Sequence, residues 1–118
     1  MRIERPMASF KQGDVVKVPF PYTDRAARQY RPALVVSTGG IEESHGLLWL
    51  TMITSAQNRR WIGDVTLSDL KRARLPAASI IRTAKIATID AKDAVKLGTL
   101  RATNLAAVLE AIGAELGF

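Results

Sequence analysis

Arg31-Pro32-Ala33-Leu34-Val35-Val36-Ser37 is a short, continuously apolar run entered through a proline and a cation. Ala33 to Val36 is too short for a helix to gain from. Its lack of alternation predicts a strand buried on both faces. Thr38-Gly39-Gly40 ends the run as a turn. Working outward, Val15 to Phe20 reads as a β-branched strand announced by the turn signal Gly13-Asp14. Leu47 to Ile53 reads as a second buried strand, Asp64 to Leu67 as a short one, and Ser79 to Ile89 as a long one. Alternation along the last puts Ile80, Arg82, Ala84 and Ile86 on one face. Ile81, Thr83, Lys85 and Ile89 take the other. Trp49, inside the second buried strand, is expected in the core.

Between these strands the chain is polar. Thr23 to Gln29 and Ser55 to Gly63 read as loops, and Ser68 to Arg74 as one basic helical turn. Asp90 opens a turn or short helix that runs to Leu97-Gly98. At the end, Leu105, Val108, Leu109, Ile112 and Leu116 fall at helical spacing and define an amphipathic helix with one apolar stripe. Its start is poorly marked, because Arg101 stands where a capping Asp or Ser belongs. Five or six short strands and a closing helix predict a mainly β fold: a small, strongly bent sheet or barrel whose edge or opening the helix covers. The 118 residues suffice for one core, so residues 9–118 are expected to form a single domain behind a frayed extension, residues 1–8.

Charge narrows the function. Seventeen Lys and Arg oppose eleven Asp and Glu, a formal +6, and such a surplus on so small a body attracts polyanions. Plain solubility is the alternative reading. No apolar run approaches the ~18 residues of a membrane span. The absence of cysteine excludes disulfides and thiolate chemistry and suits a reducing cytoplasm. The single histidine, His45, excludes a two-histidine acid–base scheme, and its neighbours place it in a surface loop. Glu42-Glu43 make a weak magnesium candidate; no metal site and no cofactor are expected.

Arginine and hydroxyl chemistry is what remains. Arg25, Arg28 and Arg31 share a loop with Tyr22 and Tyr30, and Arg59-Arg60-Trp61 repeats the pattern in another. Guanidinium groups grip phosphate bidentately and aromatic rings stack on unpaired bases, so the two clusters together point to single-stranded nucleic acid. Lys71, Arg72 and Arg74 form a third patch that a charged helix face explains equally well.

Gly13-Asp14-Val15-Val16-Lys17-Val18-Pro19-Phe20-Pro21, the Arg31 to Ser37 run, Ile53-Thr54-Ser55, Ser79-Ile80-Ile81-Arg82 and Thr88-Ile89-Asp90 together resemble the PemK/MazF family. These are the toxin halves of bacterial type II toxin–antitoxin pairs, and the match runs from about residue 12 to the final helix. The resemblance implies an SH3-like β-barrel with short helical insertions and a C-terminal α-helix. It implies a homodimer that cleaves single-stranded RNA at short specific sequences, and a small acidic antitoxin whose tail blocks the RNA groove. Carried over position by position, Arg31 and Thr54 become catalytic, Arg82 handles phosphate beside them, and Ser55 follows Thr54 as in PemK-type members. Lys85, with the two arginine–aromatic loops, completes the expected RNA-binding set. Two departures stand out. Ala84 replaces a carboxylate that some relatives place two residues after that strand arginine, and no histidine occupies the first loop. The reaction implied is attack by the RNA 2′-hydroxyl on its own phosphate, without metal, leaving a 2′,3′-cyclic phosphate and a 5′-hydroxyl. A free guanidine stays protonated far above neutral pH, so Arg31 is read first as a stabiliser of phosphoryl charge. Thr54 and Ser55 also read as strand-end hydroxyls serving the backbone, and Arg82 as an ion-pair partner of Asp64 or Asp90. The rival functions are a silent or protein-directed toxin of the same barrel type and a non-catalytic nucleic-acid-binding module. A C-terminus reading Glu115-Leu116-Gly117-Phe118 does not match the Trp-containing end of gyrase-directed relatives.

Overall fold

The computed structural model describes residues 7–19 and 29–118. Tyr22, Arg25, Arg28, the expected loop as far as residue 28 and the first six residues of the expected extension lie outside this set. Among the described residues the order is β1 (Asp14–Pro19), β2 (Tyr30–Val35), α1 (Gly39–His45), β3 (Leu47–Ser55), β4 (Val65–Thr66), α2 (Leu70–Ala73), β5 (Ser79–Asp90), β6 (Val95–Thr99) and α3 (Ala102–Glu115). The strands form one antiparallel sheet in the order β4-β5-β3-β2-β1-β6, curled into a half-barrel.

The apolar runs are buried on both faces of this sheet, which is why they do not alternate with polar residues. On one face Val15, Leu34, Ile53 and Ile81 pack with Val108 of α3 and with Leu67, Leu75 and Leu100. On the other, Val16, Val18, Ala33, Val35, Leu48 and Leu50 pack with Ala87 and Ala91, flanked by Phe10. The expected apolar stripe of α3 is therefore only half used. Val108 is fully buried and Leu105 and Ile112 flank the core, whereas Leu116 is 66% exposed. Arg101 at the start of α3 makes no side-chain cap. Asn104 instead ties the helix down by accepting 2.9 Å bonds from the Ser68 N–H and hydroxyl.

Three expectations are corrected. Gly39 to His45 is a helix, not a turn and loop. It has no buried residue to give it an apolar stripe, and tertiary contacts hold it. The Glu42 carboxylate accepts the N–H groups of Ser9 and Phe10, so it clasps the incoming chain and is not poised for magnesium. The segment expected to be a turn or short helix up to Gly98 contains one 3₁₀ turn, Ala91–Asp93, and then the edge strand β6. A side chain at Gly98 would collide with the Arg72 carbonyl, so glycine lets the end of α2 press on β6. Trp49 is not core. It faces outward beside Thr88's strand, half exposed, near Ile86 and the C-terminal end of α3.

β5 does not alternate strictly either. Its pairing with β3 jumps from Thr51↔Ile86 to Met52↔Arg82, leaving Thr83 to Lys85 as a bulge. The buried Thr51 hydroxyl lies within bonding distance of the Arg82 and Lys85 carbonyls that the bulge releases.

Candidate RNA-binding groove

The curl of the sheet leaves a cavity of about 460 Å³ where β1, β2 and β3 meet the connection from α2 to β5. Arg31 and Tyr30 enter it from the start of β2, Thr54 and Ser55 from the end of β3, and Lys17 from β1. Arg74, Pro76, Ala77 and Ala78 form the wall supplied by the α2–β5 connection, and Ile53, Leu75 and Leu97 contribute apolar surface. Three cations and no carboxylate or histidine line it among the described residues. With apolar surroundings and no internal counterion, such a concavity favours an anion with several charges.

Strand geometry explains the juxtaposition. β2 and β3 are hydrogen-bonded neighbours, running from Ala33↔Met52 to Val35↔Leu50. The beginning of β2 therefore lies beside the end of β3, and Arg31 and Thr54, distant in sequence, reach one cavity. Thr54 is buried, and its hydroxyl oxygen accepts a 2.6 Å bond from the Asn58 side-chain N–H. That leaves its own O–H as a donor. Asn58 is itself held in a turn by its N–H bond to the Ser55 carbonyl, while the Ser55 hydroxyl accepts the Gln57 N–H. Arg31 makes no side-chain hydrogen bond or ion pair to a described residue.

Arg82 is placed differently. It does not line the cavity; from β5 its side chain is buried against the β3–β4 loop, where it bonds both Asp64 oxygens at 3.0 and 3.3 Å and the Arg59 carbonyl at 2.6 Å. Its guanidinium sits 4.2 Å from the Trp61 ring centroid, a cation–π contact. Of the two acids considered as its partner, Asp64 is the one engaged. Burial alone would raise the Asp64 pKa. The Arg82 hydrogen bond, the Trp61 N–H and the charges of Arg82 and Arg60 outweigh it and hold the carboxyl below its ordinary value. Thr83 closes the same loop by donating to the Gly63 carbonyl at 2.8 Å. The loop's other expected RNA ligands, Arg59, Arg60 and Trp61, lie on its exposed side. Arg60 bonds the Thr66 hydroxyl, and the Lys85 ammonium lies 5.9 Å from the Trp61 ring. None of the four lines the cavity.

Sequence reasoning missed Lys17 and Asn58, and left Arg74 in a basic patch that the fold divides. The Arg72 side chain turns to Thr99 while Arg74 reaches the cavity. Lys17 was legible as the polar break in an apolar strand. Asn58 carried no signal beyond its place in a polar loop.

A curled antiparallel sheet with a cavity lined by three cations defines a small half-barrel protein with a cationic groove. The chain belongs to the PemK-like, MazF-like toxins of type II toxin–antitoxin systems, whose family model matches residues 11–116. Among solved structures it is similar to MazF in a MazE–MazF complex from Deinococcus radiodurans, at 26% identity and a TM-score of 0.74 over 92% of this chain and 96% of that one. MazF alone from the same organism aligns with a TM-score of 0.73 at 24% identity, over 98% and 100% of the two chains. An endoribonuclease bound to its cognate antitoxin, from a Mycobacterial species, shares the fold with a TM-score of 0.72 at 17% identity, over 93% and 97%. No curated protein sequence matches.

Proposed function

We propose that the protein is a toxin endoribonuclease that cleaves single-stranded RNA in the Arg31–Thr54 groove. The observation that carries this reading is the convergence of Arg31 and an oriented Thr54 hydroxyl in a cationic cavity free of carboxylates among the described residues. The RNA 2′-oxygen attacks the adjacent phosphorus and loses its proton. The bond from phosphorus to the 5′-oxygen breaks, and that oxygen takes up a proton. The products are a 2′,3′-cyclic phosphate and a 5′-hydroxyl. The nucleophile belongs to the substrate, so the reaction requires no metal-activated water. Arg31 and the Thr54 O–H stabilise charge gathering on the phosphoryl oxygens, and this preorganised pair is worth most at the transition state. Arg82 holds the neighbouring loop, and Arg59, Arg60 and Trp61 meet RNA flanking the cleaved bond.

A cognate antitoxin, as in the complexes of the similar proteins, fits the same groove if it brings an acidic segment to Lys17, Arg31 and Arg74. The exposed Trp49, Ile86 and Leu116, which lie apart from the groove's lining, support a second copy of this chain on a separate, apolar surface. The deciding experiment incubates the protein with a long single-stranded RNA in EDTA and identifies the new ends. Wild type should cut, and Arg31→Ala and Thr54→Ala should each slow cleavage by about 10²–10³-fold. Intact RNA with the wild-type protein, or undiminished cutting by both variants, defeats the proposal.

A further inference from the structure

Arg74 combines a costly backbone with an unengaged side chain. It is the one non-glycine residue with positive φ among the described residues, at φ 60°, ψ 41°. Left-handed backbone crowds Cβ against the following carbonyl, so helix ends of this form are ordinarily given to glycine or asparagine. The turn itself uses only Arg74's backbone: its N–H reaches the Leu70 and Lys71 carbonyls, and the Leu75 N–H bonds Leu70. Glycine would make the same bonds with less strain. The Arg74 side chain is exposed and makes no hydrogen bond or ion pair to a described residue. It lines the cavity that also holds Arg31, Thr54 and Lys17.

Its placement is also built. Gly98 allows the last residues of α2 to lie on β6, and that contact fixes where the next residue emerges. Ala73, immediately before it, is fully buried. A strained residue on a firmly seated turn, with a cation that no described residue engages lining a cationic groove, points to function and not to folding.

We infer that Arg74 is a substrate-binding residue that grips an RNA phosphate other than the one being cleaved. This deepens the ribonuclease reading and rests on it. A remote phosphate keeps its charge throughout the reaction, so Arg74 binds ground and transition states alike. Its loss raises KM and leaves kcat nearly unchanged, the reverse of the effect at Arg31.

The test compares wild type, Arg74→Gly and Arg74→Lys in three measurements. These are thermal unfolding, steady-state cleavage of a single-stranded RNA, and binding of a DNA oligonucleotide of the same sequence across a salt series. The DNA lacks the 2′-hydroxyl and reports binding without reaction. Arg74→Gly should raise KM about tenfold, the loss of one charge-assisted contact, with kcat within about twofold. Its salt slope should be shallower by about 0.7, the signature of one lost phosphate contact on a single strand. Its Tm should stay level or rise as the strain is relieved, and Arg74→Lys should keep the slope. An unchanged KM and slope, a loss confined to kcat, or a lowered Tm in Arg74→Gly each overturns the inference. Wild type that binds the DNA with a steep salt slope but leaves RNA intact defeats the ribonuclease reading instead, and the slope still judges Arg74.

Discussion

Arg82 shows how far one residue's role depends on its neighbours. Its position in the motif suggests a phosphate ligand, yet its donors go to Asp64 and the Arg59 carbonyl, and its face goes to Trp61. The ion pair with Asp64 was one of two pairings open in the sequence, but nothing announced Trp61, which reaches Arg82 only once the β3–β4 loop folds back. The lowered Asp64 pKa makes the latch sensitive to acid. A depressed carboxyl contributes stability that is complete above the ordinary aspartate range and is lost as pH falls through the folded-state value. In a Trp49→Phe background, Trp61 emission should therefore change at a pH below the usual aspartate midpoint while far-UV circular dichroism holds. An identical transition in Asp64→Asn protein would show that another group is titrating. Asn58 offers a second residue-scale test. Removing the bond that orients the Thr54 hydroxyl, in Asn58→Ala, should lower kcat about fivefold, the worth of about 1 kcal/mol, with KM unaffected. A change in KM alone would place Asn58 in substrate binding.

At the scale of elements, the strands that were legible are those whose composition does the work. Val15 to Val18, Ala33 to Val35 and Leu47 to Ile53 are buried because they are apolar, and any packing of this chain must hide them. β6 was illegible for the converse reason: Val95 and Lys96 are exposed, Gly98 interrupts the run, and only pairing with β1 makes it a strand. α1 begins with two glycines and buries nothing, so neither propensity nor periodicity marks it. The β5 bulge hid itself by mimicking regular alternation on both sides. Gly98 is where these tertiary decisions meet. Gly98→Ala forces a methyl into the Arg72 and Ala73 backbone, and overpacking of this kind costs about 1–3 kcal/mol. Urea denaturation should show the loss at an unchanged m-value. Cleavage by the folded fraction should show a raised KM, since Arg74 follows directly on α2. Wild-type stability in Gly98→Ala would mean that α2 does not bear on β6 as described.

For the whole molecule, the surface divides into two regions of opposite character. The groove side collects Lys17, Arg31 and Arg74. Another surface exposes Trp49 (50%), Ile86 (42%) and Leu116 (66%), with Phe118 nearby, around a cleft walled by Val36, Leu109 and Ile112. The net charge foretold the first region, although the fold was needed to show which cations share it. The apolar stripe of α3 foretold half of the second, and Trp49, read as core, was its misassigned partner. A cluster of large apolar side chains around one cleft is more than scattered surface hydrophobes supply, and it fits an interface between subunits. Each side chain left open on an isolated chain would be covered by a second copy, which also places two grooves on one particle. Sedimentation equilibrium of the wild type should accordingly give two chains per particle. Trp49→Lys combined with Leu116→Lys should give one, because two cations per subunit would have to be buried against their symmetry mates. The circular dichroism spectrum should be unchanged, since neither residue lies in the core of a single chain. A wild type that sediments as a monomer, or a double variant that remains dimeric, would assign this surface to another partner.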